Sequence, residues 1–227
     1  MAEQHFSGKR VLITQADEFM GPALCEVFAE QGAEVIAANG PLAEAQRAQQ
    51  IVAAAGRIDV LIANLAVPAP STRAQEVSDD EWRHVFAHMV DPLPRLFRAV
   101  LPQMLERRAG KIVLMGSASA LRGMKRTSSY SAARGAQLAY VQAVGAEVAP
   151  SNVQVNAIAQ NFVDNPTYFP TEIQADPRFQ ERLAREVPAG RLGTPREDAL
   201  FAAFLASDQV NFLVGQAIPF CGGWVTR

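Results

Sequence analysis

Tyr130 and Arg134 stand four residues apart in Ser128–Val148, a stretch whose pattern predicts a long helix. Side chains at i and i+4 share a helix face, so this phenol and guanidinium can meet. A tyrosine hydroxyl ordinarily ionises near pH 10, and a guanidinium, which keeps its proton, is a permanent cation that favours the phenolate. Such a pair can supply a general base at neutral pH. Taken alone, Tyr-x3-Arg is also compatible with a surface pair on an amphipathic helix. His84 and His88 repeat the spacing on a second predicted helix. No cysteine or further histidine joins them and Asp91 is the nearest extra ligand, so a solvated or subunit-facing surface is the better reading and no metal is expected.

The elements that must carry these residues can be read from the apolar runs. Arg10–Thr14, Glu34–Ala38, 58–63, 110–115, 153–159 and Ala217–Phe220 read as strands. Helical patterns occupy 20–31, 42–55, two stretches within 79–107 broken near Pro92 and Pro94, Ser128–Val148 and 196–206. Strands alternating with helices imply βαβ units and a parallel sheet covered on both faces. The fold class is therefore α/β: a three-layer Rossmann-like fold with a doubly wound parallel sheet of about seven strands. The chain reads as one domain, 1–227, without repeat or linker. The segment at about 160–191 interrupts the alternation and is rich in Pro and aromatics. An insertion of this length after a strand's carboxyl end forms a lid or pocket wall, or else a solvated excursion.

Composition narrows the classes. With 49% hydrophobic residues the chain can bury a large core, and a net charge of −2 gives no reason to expect nucleic acid or an anionic membrane as partner. Cys25 and Cys221 are too few for a disulfide framework or a cysteine metal site and fit a reducing compartment. No apolar run has signal-peptide or membrane-spanning length, so a cytoplasmic location is expected.

Several landmarks resemble the short-chain dehydrogenase/reductase family across essentially the whole chain. They are the first strand ending in Thr14, the run Asp59-Val60-Leu61-Ile62-Ala63-Asn64, Ser117 thirteen residues before Tyr130, and the closing stretch from Gly215-Gln216 to Gly222-Gly223. The departures carry the functional information. A nicotinamide dinucleotide needs a glycine-rich first turn, so that backbone and helix N-terminus can approach its phosphates. Here the turn is Thr14-Gln15-Ala16-Asp17-Glu18-Phe19-Met20-Gly21. Only Gly21 remains; Asp17 and Glu18 would repel phosphates, and Phe19 puts a ring where the family has glycine. Asn39 stands where NAD-dependent members carry an acid, and Arg134 replaces the dehydrogenase lysine. Together with Ser117, this combination is similar to the halohydrin dehalogenase family, whose triad is Ser, Tyr and Arg in this order.

That resemblance implies a reaction and a site. Tyr130 would be the base, Arg134 the cation beside it, and Ser117 the hydroxyl that holds the substrate oxygen. The reaction would close vicinal haloalcohols to epoxides with release of halide and a proton, without a cofactor. In reverse, azide, cyanide or nitrite would open epoxides. The halide would lie near Phe19, Gln160, Asn161 and Phe162, where a nicotinamide would otherwise sit, although these aromatics could also be ordinary packing. Met124, Val163, Tyr168 and Phe169 would line the substrate pocket, with Met124 also readable as core. Ser119, Ser128 and Ser129 are expected in loop and cap hydrogen bonds. The family further implies a homotetramer, a dimer of dimers, and residues 224–227 could pack at its interface or cap the sheet. The alternatives are a nicotinamide-dependent carbonyl reductase with an unusual turn and a catalytically silent scaffold.

Overall fold

The computed structural model describes residues 4–226; Met1–Glu3 and Arg227 lie outside the described residues. Six parallel strands form one sheet in the order β2-β1-β3-β4-β5-β6. They are β1 (Arg10–Thr14), β2 (Glu34–Ala38), β3 (Val60–Asn64), β4 (Gly110–Ser117), β5 (Val153–Gln160) and β6 (Ala217–Phe220). The helices are α1 (Gly21–Glu30), α2 (Arg47–Ala55), α3 (Asp79–Met89), α4 (Pro92–Arg107), α5 (Ser128–Val148), α6 (Thr171–Ala175), α7 (Pro177–Glu186) and α8 (Pro195–Ala206).

Alternate side chains of the strands feed two different cores, as a two-residue period requires. Leu12, Leu61, Ile112, Leu114 and Val155 join the cluster containing residues of α2, α4 and α5. Val11, Ile13, Val60, Ile62, Val113 and Met115 join the opposite cluster with residues of α1 and α8. All eleven are at most 2% exposed, so the four central strands are sealed on both faces and only their ends are open to ligands. The consequence for function is positional: β1, β3, β4 and β5 direct their carboxyl ends to one side of the sheet, the side where ligands bind in such folds.

The sheet has six strands among the described residues, close to the seven expected. The chain leaves β2, forms α2 and enters β3 with only residues 39–46 and 56–59 as connections, too little for a further edge strand with its own crossover. The helix predicted over 42–55 begins only at Arg47. Leu42 is instead buried in the core, and Arg95 of α4 donates to the Ala43 carbonyl at 3.0 Å, which ties this segment down outside the helix. The insertion at 160–191 is not a bare loop. It contains α6 and α7, and an isolated bridge from Val163 to Gly193 anchors its two ends.

Candidate active site

β4 ends at Ser117 and β5 at Gln160, paired in register, so both reach the same rim of the sheet. α5 begins above that rim and brings in Tyr130 in its first turn and Arg134 one turn later. Between them and the lid lies a cavity of about 440 Å³. Its lining includes Ser117, Tyr130 and Arg134, then Phe19, Gln160, Asn161 and Phe162, and also Met124, Val163, Tyr168 and Phe169. Residues scattered over 150 positions of sequence thus meet in one space, because four strand ends and the lid converge there.

Arg134 is 2% exposed and lies against Tyr130, its Cζ 5.0 Å from the ring centroid. Its Nη1 donates to the carbonyls of Met115 (2.9 Å) and Leu65 (3.2 Å) and to Gln137 Oε1 (3.0 Å). Burial opposes the charge, but the oxygens of Tyr130 and Tyr168 beside it more than offset burial and raise its pKa. The cation is therefore fixed at the phenol by the strand ends themselves. Ser117 Oγ accepts from Ser119 N at 3.2 Å and lies 3.0 Å from Ser119 Oγ. Ser119 thus does more than a loop serine would. It is buried, lines the cavity and orients the hydroxyl of Ser117. Ser129 Oγ donates to Glu81, which also accepts from Thr72; these bonds hold the carboxylate's pKa below its usual range and tie α3 to the start of α5.

Tyr168 is the partner that sequence reasoning missed. Its hydroxyl donates to the Val67 carbonyl at 2.7 Å and lies 3.3 Å from the Tyr130 hydroxyl. A phenol has one proton, so with that proton on Val67 it can only accept from Tyr130. Burial, with the Tyr130 oxygen adding to it, raises the Tyr168 pKa well above normal and keeps it a neutral acceptor. The lid residue and Tyr130 are paired in this state.

Two of the three phenylalanines that line the cavity share a strained backbone: Phe19 has φ 52° and Phe162 φ 53°. A bulky residue in the left-handed region costs of order 1–3 kcal/mol and is characteristic of functional sites. The Phe19 ring lies 5.7 Å from Tyr168, and Phe162 packs on Phe169 at 5.9 Å and edge-on to Trp224 at 5.9 Å. Asn161 Oδ1 accepts from Phe162 N at 2.9 Å, while its Nδ2 makes only a 3.9 Å contact with Met124 Sδ. Gln160 Oε1 is buried without a partner. Both amides thus bring polar groups to the cavity that the protein leaves largely unsatisfied.

The remaining candidates stand elsewhere. His84 and His88 stack at 4.2 Å on α3 and His88 Nδ1 bonds the His84 carbonyl, away from the cavity lining. Asp91 is an ion-pair partner of Arg95. Among the described residues no group of three His, Cys, Asp or Glu could hold a metal, and no helix is long and apolar enough to cross a membrane.

Residues 5–225 match a short-chain dehydrogenase-type family model described as enoyl-(acyl carrier protein) reductase. The chain belongs to the short-chain dehydrogenase/reductase family. Curated relatives include the 3-oxoacyl-[acyl-carrier-protein] reductase of Salmonella typhimurium, 29% identical over 96% of this chain and 98% of that protein. The Thermotoga maritima reductase of the same name is 28% identical with the same coverage. Among solved structures, one described as a dehalogenation enzyme superposes with a TM-score of 0.87 at 29% identity, covering 96% of this chain and 98% of the other. A Brucella melitensis 3-oxoacyl-[acyl-carrier protein] reductase with bound NAD superposes with a TM-score of 0.88 at 22% identity, covering 99% and 94%, and speaks for the fold alone.

Short-chain dehydrogenases imply a nicotinamide dinucleotide, and the residues of this member do not fit one. A phosphate cradle needs backbone N–H groups that point outward. Here Ala16 N donates to Ala38 O, Glu18 N to Gln15 O, and Gly21 N to Glu18 O. Gln15 is buried and its side chain bonds Ala66 N at 2.6 Å and Ala66 O at 3.1 Å, closing the turn onto the end of β3. Asn64 Nδ2 closes it further onto the carbonyls of Gln15 and Glu18. A Cβ at Gly21 would meet Gln15 O at 2.3 Å, so this one glycine serves the turn's own packing. Asp17 Oδ1 accepts from Gly40 N just beyond β2, placing a carboxylate beside the path to the second strand.

Proposed function

We propose that this protein is a cofactor-independent halohydrin dehalogenase, converting vicinal haloalcohols to epoxides, halide and a proton, and opening epoxides with small anions in reverse. The observation that carries this reading is the first turn. Its Ala16, Glu18 and Gly21 N–H groups are bonded within the fold, Asp17 and Glu18 put carboxylates on it, and its Phe19 ring stands in the same cavity as Tyr130 and Arg134. A family scaffold that keeps the tyrosine base while filling the phosphate cradle suits chemistry that needs a base and no hydride.

The reaction follows from the groups present. Tyr130, as phenolate beside the Arg134 cation, takes the hydroxyl proton of the substrate. Ser119 holds Ser117 so that the Ser117 hydroxyl can donate to the same substrate oxygen. That oxygen attacks the neighbouring carbon from behind, the C–O bond forms, and the carbon–halogen pair of electrons leaves with the halide. Nucleophile and electrophile belong to one molecule, so proximity is built into the substrate. Phe19 and Phe162 offer polarisable walls for a large anion, and the Asn161 amide offers an N–H donor beside them. Tyr168 must yield its place at Tyr130 when substrate enters, since the substrate hydroxyl has to reach the oxygen that Tyr168 contacts at 3.3 Å.

The reductase reading is favoured by the curated relatives, which are 3-oxoacyl-[acyl-carrier-protein] reductases. It requires a nucleotide at a turn that carries two carboxylates and the Phe19 ring. A homotetramer is part of the proposal, supported by large apolar side chains that stay exposed: Trp82 on α3, Leu105 on α4, and Leu200 and Phe204 on α8 with Phe212 beyond it.

The test is bromide release from 1,3-dibromo-2-propanol by protein stripped of nucleotides. Release is expected from the native chain and none above background from Tyr130→Phe, which keeps the ring and loses the acceptor. Equal release by both proteins would remove Tyr130 from the reaction.

A further inference from the structure

The cavity has an unassigned charged group. Among its lining residues only Arg134 and Arg182 carry charge, and no carboxylate faces it. Arg134 is committed to Met115, Leu65, Gln137 and the Tyr130 ring. Arg182 stands on α7, in the lid, with its side chain 42% exposed. Its Cζ lies 5.6 Å from the centroid of the Phe162 ring, a cation–π contact that holds the planar group against the pocket wall. Its Nε reaches Glu186 Oε2 at 3.3 Å, but Glu186 also takes Arg185 at 3.0 Å, so one carboxylate serves two guanidinium groups. Neither Nη of Arg182 donates a hydrogen bond among the described residues.

A guanidinium with both Nη groups open presents a planar fork that matches a carboxylate by two parallel hydrogen bonds. We propose that Arg182 is a substrate-carboxylate receptor at the lid side of the cavity, so that the preferred substrate class is a haloalcohol or epoxide bearing a carboxylate. The seat on Phe162 fixes the fork before substrate arrives, which lowers the ordering cost of binding. Shared use of Glu186 leaves the local charge positive, and the absence of a carboxylate in the lining means nothing in the pocket competes for the fork. The inference deepens the dehalogenase reading and rests on it for the halogen, but the carboxylate contact itself needs no halogen.

The experiment compares halide release from 4-chloro-3-hydroxybutanoate and its ethyl ester in the native protein, Arg182→Gln and Arg182→Lys. The expected result is a fall of about tenfold in the acid-to-ester ratio of kcat/KM for Arg182→Gln, carried by KM, with partial recovery in Arg182→Lys. In parallel, the unreactive 3-hydroxybutanoate is titrated against thermal unfolding of each protein. It is expected to raise the Tm of the native protein and not of Arg182→Gln. If no haloalcohol reacts yet the 3-hydroxybutanoate effect depends on Arg182, the carboxylate site stands and the dehalogenase reading falls. An unchanged acid-to-ester ratio overturns the proposal. So does an Arg182→Gln protein in which only bromide inhibition weakens, since the fork would then receive free halide.

Discussion

Tyr130 meets a cation on one side and a neutral phenol on the other, and the two neighbours do different things. The Arg134 guanidinium, 5.0 Å from the ring, stabilises negative charge on the phenol, and the cation is anchored by backbone carbonyls of Leu65 and Met115. Replacing it with lysine keeps a charge but substitutes a compact ammonium of shorter reach for the planar fork that reaches those carbonyls. Arg134→Lys is therefore expected to lower kcat by about tenfold or more with little change in KM, measured as initial rates of halide release against substrate concentration. A kcat equal to the native one would contradict the role given to Arg134. The spacing of Tyr130 and Arg134 was legible in the sequence because i and i+4 must share a helix face. Tyr168 could be placed in the pocket by resemblance, but its pairing with Tyr130 and its bond to Val67, 101 residues away, depend on how the lid folds back. No local pattern encodes that.

The first turn is the element on which function turns. Gln15, in a left-handed conformation at φ 42°, stitches the end of β1 to the end of β3 through Ala66. Gln15→Ala would leave a buried N–H and a buried carbonyl without partners, at a cost of about 1–3 kcal/mol for each group left unmade. Urea unfolding is expected to show that loss, while NADH titrated into the same variant shows no bound-state fluorescence, because Phe19, Asp17 and Glu18 remain. A variant that binds NADH would mean that the Gln15 closure alone excludes the nucleotide. The acids and the ring of this turn were legible as departures from a phosphate cradle, since charge and bulk are properties of residue type. The closure was not, because it comes from Gln15 meeting Ala66 across two strands. The lid shows the same limit: its Pro and aromatic content marked 160–191 as a pocket wall, but α7 and the inward face that carries Arg182 appeared only with the fold. At the other edge, the apolar residue Leu42 read as helix because helix and core both favour leucine, and the core took it.

At the scale of the whole molecule, one carboxyl group among the described residues stands at odds with its burial. Asp198 on α8 is fully buried and neither carboxylate oxygen has a hydrogen-bond partner among the described residues. Burial pushes its pKa from 3.8 up to about 8. The raised value means the fold favours the protonated acid. The stability associated with Asp198 is therefore intact below about pH 4 and is lost as pH rises towards 8, the folding constant falling about tenfold per pH unit across that window. Asp198→Asn, which cannot ionise, is expected to exceed the native protein in Tm by a margin that widens from pH 5 to pH 8. A margin independent of pH would show that Asp198 is not ionising in a dry site.

The central claim is that this member of a nucleotide-using family does its chemistry with no nucleotide. One measurement tests it most directly. A single nucleotide-stripped preparation is given 1,3-dichloro-2-propanol alone in one vessel, and a panel of ketones with NADH and NADPH in another. Chloride, protons and epoxide are expected in equal amounts in the first vessel, with no nucleotide oxidised in the second. Nucleotide oxidation in the second vessel with no chloride in the first would contradict the account.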